Sequence, residues 1–168
     1  MTVLSYKTLA NLEQSIYEKL VSTITAQGLQ ILDDKGNLED ILVRVGFNLD
    51  QNYNLPVIQI YHDSNPSNQR LSIGSDRRDT RYLMIIDIRS NNDTNRLNLT
   101  DFVVDTLTNG FPFYTYTPNG ENPTKTQTGY VEFDFVTNQH LALGDDAPIY
   151  DQCRQRISIS CWIACSST

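Results

Sequence analysis

The stretch RYLMIIDIRSNNDTNRLNLTDFVVDTLTN, residues 81–109, decides the fold. Its first part, Arg81–Ser90, reads as a long strand. Tyr82, Met84, Ile86 and Ile88 alternate onto one side, while Leu83 and Ile85 keep the other side half apolar. A strand that is apolar on both sides belongs in the middle of a sheet, covered twice. The polar hinge NNDTN then leads into an amphipathic helix over Asn95–Asn109. Its buried stripe is Leu99, Phe102, Val103, Thr106 and Leu107, and Asn109-Gly110 ends it. One helix covers one side of that strand, so the second side needs another cover.

Toward the N-terminus, Thr8–Gln27 carries Leu9, Leu12, Ile16, Leu20 and Ile24 within an arc of about 120° at helical pitch, a single core-facing stripe. Ser5 or Thr8 caps this helix and Gly28 ends it. After a short apolar piece, Leu29–Leu32, the tract DDKGNLED at Asp33–Asp40 reads as a turn plus connector. It is not a calcium loop: with Gly36 in the glycine position, the first ligand position falls on Ile31, which has no oxygen to offer. Ile41–Phe47 alternates as a strand, with Ile41, Val43, Val45 and Phe47 on one face. The loop NLDQNYN and Pro56 lead to a second strand, Val57–His62. The hydrophilic region Asp63–Thr80 is too long for an ordinary connection and reads as a projecting arm, with Arg70–Gly74 as a short strand.

Toward the C-terminus, Phe111–Thr117 is extended and aromatic, followed by a tight turn at Pro118-Asn119-Gly120 and a polar loop, Glu121–Thr128. Tyr130–Thr137 alternates, with Val131, Phe133 and Phe135 against Tyr130, Glu132 and Asp134. A long connection at Asn138–Ala147 precedes a closing strand, Tyr150–Cys165. The sum is one α+β domain, residues 1–168: a mostly antiparallel or mixed sheet of five to six strands with both helices on one face and an arm at about 63–80. At 168 residues such a domain buries roughly 70% of its unfolded surface and needs no staple.

Chemistry-bearing motifs are scarce. The two histidines, His62 and His140, have no partners at metal-ligand spacing. Cys153, Cys161 and Cys165 fall on one strand face with Ile157, Ile159 and Ile163, as buried thiols do. No glycine-rich phosphate loop or nucleophile elbow occurs. Asp145-Asp146, in a Gly-Asp-Asp-Ala-Pro run, reads as a turn former, and His62-Asp63 as a surface pair. The expectation is a non-enzyme with no cofactor and no metal. A net charge of −7 argues against general nucleic-acid or anionic-membrane binding, since counterion displacement needs Lys and Arg. The N-terminal residues lack a signal-peptide pattern, and no apolar run is long enough to span a membrane.

What remains is a surface. The sheet face away from the helices is expected to show Tyr61, Leu83, Ile85, Tyr114, Tyr116, Tyr130 and Trp162 among Arg89, Glu132, Asp134, Arg154 and Arg156. Aromatics mixed with paired charges, with Lys scarce, have the composition of a protein–protein interface. An ordinary amphipathic sheet surface also carries tyrosines. Arg70, Arg77, Arg78 and Arg81 form the one basic cluster, either a solvated loop or a docking arm for an acidic neighbour.

The order of these elements resembles a known family. An amphipathic helix, strands of the type ILVRVGF and LPVIQIYH, an Arg-containing loop, RYLMIIDIRSNN running directly into LTDFVVDTL, an aromatic hairpin and the closing QRISISCWIA are similar to the tail terminator proteins of long-tailed bacteriophages and to other small neck and tail-completion proteins. The resemblance implies a sheet flanked by helices and a structural role in the virion. Copies would form a ring, typically a hexamer, assembled in the host cytoplasm. The ring would cap the tail tube and meet the head connector, with DNA only passing through its lumen. Length and long polar loops suit a head-closure or connector protein equally. A small enzyme or ligand-binding module, or a monomeric adaptor, are the readings from other classes.

Overall fold

The computed structural model describes residues 3–46, 55–63, 67–70, 78–117, 124–141 and 153–165. Residues 64–66 and 71–77 of the expected arm, Arg77 among them, lie outside the described residues. So do Phe47, the 118–120 turn and Asp145-Asp146.

Two helices and nine strands are described: α1 (Val3–Gln27), β1 (Gln30–Leu32), β2 (Leu38–Asp40), β3 (Leu42–Val45), β4 (Val57–His62), β5 (Ser67–Arg70), β6 (Arg78–Arg89), α2 (Asp93–Thr108), β7 (Phe111–Thr117), β8 (Thr124–His140) and β9 (Arg154–Cys165). The main sheet runs β3-β4-β6-β9-β8-β7, with β5 also paired to β6. Its pairs are antiparallel except β3 with β4, which run parallel. This is the expected α+β fold, with seven strands in the sheet rather than five or six. The additional strand comes from the expected arm. Ser67–Arg70 pairs with Arg78–Arg81, and so extends β6 three residues beyond the predicted start at Arg81.

The strand at 78–89 is central, as its two-sided apolarity requires. It pairs with β4 through Met84–Arg89 and with β9 through Tyr82–Arg89. Both helices pack on one face. Leu12, Ile16 and Leu20 of α1 and Leu99, Val103 and Leu107 of α2 share one core with Ile58, Ile60, Met84, Ile86, Ile88, Ile157, Ile159 and Cys161. Burial pushes the Cys161 thiol up to about 12, and it behaves as a small core residue. Cys153 is also free and stands just before β9, beside Asp93 and Arg96 of α2; the side chain of Cys165 is outside the described residues.

Three local departures from expectation have physical causes. Residues 30–40 fold as a hairpin rather than a connector. Asp33 accepts hydrogen bonds from the Lys35 and Asn37 backbone N–H groups at 2.8 and 2.7 Å, and Gly36 supplies φ 83°. The helix α2 starts at Asp93 because Asn92 caps it, accepting from Asn95 N at 2.8 Å. Its buried side is polar in the first two turns, with Asn95, Arg96 and Thr100 inside, while Phe102 and Thr106 are only half-buried. Those polar groups are satisfied at long range: Asn95 donates to the Leu32 carbonyl at 2.7 Å, and Arg96 to the Gln155 side chain. Finally, β8 already starts at Thr124, inside the expected polar loop.

The outer strand β7 is protected by α1. Ser15 Oγ accepts from Tyr114 N at 3.0 Å and Asn11 Oδ1 from Tyr116 N at 3.4 Å, so these helix side chains occupy edge donors that would otherwise recruit another strand. Among the described residues no helix is long and apolar enough to cross a membrane.

Candidate interface on the open sheet face

The second side of the sheet is built by residues one step out of phase with the core. Register places Leu83 opposite Ser160, Ile85 between Tyr61 and Ser158, Asp87 between Gln59 and Arg156, and Arg89 between Val57 and Arg154. On the far side of β9, Glu132 is level with Trp162 and Tyr130 with Ala164.

At the centre is Asp87, whose side chain is 0% exposed although both described helices pack on the opposite face. Its carboxylate accepts Arg156 Nε at 2.8 Å, Arg156 Nη2 at 3.0 Å, the Tyr61 hydroxyl at 2.8 Å, and Arg154. Arg156 Nη2 also donates to the Tyr61 oxygen at 2.8 Å. A buried carboxylate survives only when such partners replace its water. Burial alone would raise the Asp87 carboxyl, but the hydrogen bonds from Arg156 and Arg154 outweigh it and hold it below the usual carboxylate range. Burial, then the Asp87 charge, pushes the Tyr61 phenol up to about 12. The group is a rigid structural cluster with every named member held by another.

Around this cluster the face stays partly apolar and partly open. Leu83 is 38% exposed and Tyr130 40%, and Ile85 and Trp162 are half-buried. The Arg81 guanidinium lies 5.4 Å from the Trp162 ring centroid, which fixes the indole at the rim. Gly110 lets the Tyr130 ring close over the α2–β7 turn. It has φ 71°, and a β-carbon there would come within 2.7 Å of the ring and of the Val131 carbonyl.

Two expected members of this face are elsewhere. A bulge between Phe113 and Tyr114 changes the phase of β7, and Tyr114 and Tyr116 face α1. The Tyr116 hydroxyl donates to Glu18 Oε1 at 2.7 Å, and its phenol is raised by burial and then by that bond. Tyr114 lines an open cleft of about 330 Å³ beside Ser15 and Glu18. The Lys125 ammonium sits 4.0 Å from its ring centroid and pairs with Glu18. The cleft's one carboxylate therefore already holds a lysine and a tyrosine, and its job is to dock α1 on β7. A second bulge, between Phe133 and Phe135, sets Val136 level with Ile159; the side chains of Asp134 and Phe135 lie outside the described residues. Arg70 and Arg78 pair with each other in the β5–β6 ribbon.

Sequence reasoning missed Asp87. The signal was present: a lone carboxylate inside IIDIR, on the same phase as Leu83 and Ile85, needs a cation beside it. His62 was expected as a surface pair with Asp63. It instead meets α1, with Nδ1 2.6 Å from Glu13 Oε1. Among the described residues no group of three or more His, Cys, Asp or Glu side chains converges as a metal site.

No family model matches the chain, and no curated protein sequence matches it. Among solved structures, it is similar to a chain described as "Virion of native gene transfer agent (GTA) particle", at 9% identity and a TM-score of 0.46. That match covers 96% of this chain and 99% of the other. A likeness at that level leaves the function to be argued from the surface itself.

Proposed function

We propose that this protein is a structural component of a virion neck: a tail terminator whose copies form a ring that caps the tail tube and joins it to the head connector. The observation that carries this reading is the open sheet face. Leu83, Ile85, Tyr130 and Trp162 surround a charge cluster whose members are bound to one another before any partner arrives. A preorganised apolar rim of this kind loses little side-chain entropy on docking, and aromatic anchors dominate interface energies. The order of elements that resembles tail terminators supports the choice of assembly.

The function is then interface formation without a reaction or a cofactor. One patch meets a different patch on the next copy, and such head-to-tail contacts close into rings. The β5–β6 ribbon with Arg70 and Arg78 is a second candidate contact, toward the tail tube or the connector. A net charge of −7 suits a lumen that lets DNA pass without holding it. The protein would reside in the virion after assembly in the host cytoplasm. A head-closure or connector position is the second reading, favoured by the hydrophilic segment at 63–80.

Light-scattering mass with negative-stain imaging tests the proposal, on the purified chain alone and with tail tubes. Rings, or caps on tube ends, are the expected result. A strict monomer that never adds to a tube overturns it.

A further inference from the structure

The turn between α2 and β7 holds a chemically reactive pair. The sequence has two Asn-Gly pairs, Asn109-Gly110 and Asn119-Gly120, and the second lies outside the described residues. In such a pair the glycine nitrogen can attack the side-chain carbonyl carbon of asparagine, because glycine carries no β-carbon to obstruct it. The new N–Cγ bond closes a five-membered imide, and the Cγ–Nδ2 bond breaks. The side-chain nitrogen leaves as ammonia, taking the proton of the glycine amide. Water then opens the imide at one of its two carbonyls, giving aspartate, or isoaspartate with one more methylene in the main chain.

The folded turn meets this reaction only halfway. Asn109 is exposed, so water reaches its amide. Its backbone, however, is set wrongly for ring closure. The imide needs Cβ and the Gly110 nitrogen eclipsed about the Cα–C bond. At ψ 3° the Gly110 nitrogen instead eclipses the Asn109 nitrogen, and the side chain is turned away. The nucleophile is also occupied. Gly110 N donates to the Leu107 carbonyl at 2.9 Å, which closes the last turn of α2, and Leu107 is buried in the core. Gly110 has little freedom to shift, since even a β-carbon there would come within 2.7 Å of the Tyr130 ring and the Val131 carbonyl.

We propose that Asn109 is a latent modification site, held unreactive by the cap of α2 and converted to aspartate or isoaspartate only when that cap opens, and that conversion weakens the end of the helix. Opening frees the Gly110 nitrogen and lets ψ of Asn109 rotate, so one local event removes both obstacles. The product gains a carboxylate at the C-terminal end of α2. There the helix dipole disfavours negative charge, no basic residue stands in the last turn, and Asp105 lies four residues back. Isoaspartate also lengthens the main chain beside Gly110, where the Tyr130 ring and the Val131 carbonyl leave no space.

The test incubates the full chain, folded and in denaturant, at mildly alkaline pH, and follows conversion at Asn109 by peptide mapping. Conversion in the folded chain should be about tenfold or more slower, and the suppression should match the hydrogen-exchange protection of the Gly110 amide. Equal rates in folded and denatured chains overturn the gate, and so does strong suppression beside an unprotected Gly110 amide. Asn109→Asp reproduces the aspartate product, and Asn109→Ser is neutral and has no amide to lose. The first should unfold at a lower denaturant concentration than the second. Equal midpoints overturn the claim that conversion weakens the helix end.

Discussion

The two sides of β6 differ by one residue in phase and by nearly everything else. Met84, Ile86 and Ile88 have no exposure and lie under both helices. One step along, Leu83, Ile85, Asp87 and Arg89 carry a half-exposed leucine at one end and a fully buried carboxylate in the middle. The first side is sealed by apolar contact with the chain's own helices. On the second, hydrogen bonds and ion pairs among strands hold the centre, and Leu83 at one end is left partly exposed. A sheet face kept in order by its own charges needs no helix over it, and that leaves room for a partner.

Ile86→Ala attacks the sealed side and should have the largest effect. Loss of contacts plus an unfilled cavity at a site of zero exposure should cost about 4 kcal/mol, read from the midpoint of denaturant unfolding. Asp87→Asn attacks the charged side. It leaves Arg154 and Arg156 without their carboxylate and should cost about 3 kcal/mol.

The Asp87 effect has a definite pH sign. Its folded value lies below the ordinary 3.8, so its stabilisation is complete above that value and is lost as pH falls through the folded value. The gap between wild type and Asp87→Asn should therefore be constant near neutrality and narrow in acid. A gap that widens in acid would contradict the charge assignment.

Smaller effects probe the rim. Gly110→Ala forces a side chain into positive φ and against the Val131 carbonyl, for a loss of about 2 kcal/mol in the same unfolding measurement. Leu83→Ser removes only a partly buried side chain and should cost about 1 kcal/mol of stability. Its main effect should be on assembly. If it instead destabilises as much as Ile86→Ala, the two sides of β6 are not different in kind.

Much of this was legible in order along the chain. The strands at Val57–His62 and Phe111–Thr117 follow from their apolar and aromatic runs, and the buried line of α1 from helical periodicity. The open face was legible only in part. Leu83, Ile85, Tyr130 and Trp162 lie where alternation puts them, whereas Tyr114 and Tyr116 were lost to a bulge that one-dimensional counting does not detect. The polar interior of α2 was also hidden. Asn95 and Arg96 look like solvent residues until Leu32, Asp93 and Gln155 are seen beside them.

Local chemistry thus determined which segments become helix and strand, that the strand at 81–89 is central, and that one of its sides is core. Those properties depend on residues a few positions apart. Tertiary structure alone decided which strand neighbours which, where the bulges reverse a face, and that Tyr61, Asp87, Arg154 and Arg156 meet. Their partners are separated by up to 95 positions, and no spacing rule brings such residues together. That meeting answers what holds the second side of the central strand: its own charges at the centre, with both described helices on the opposite face.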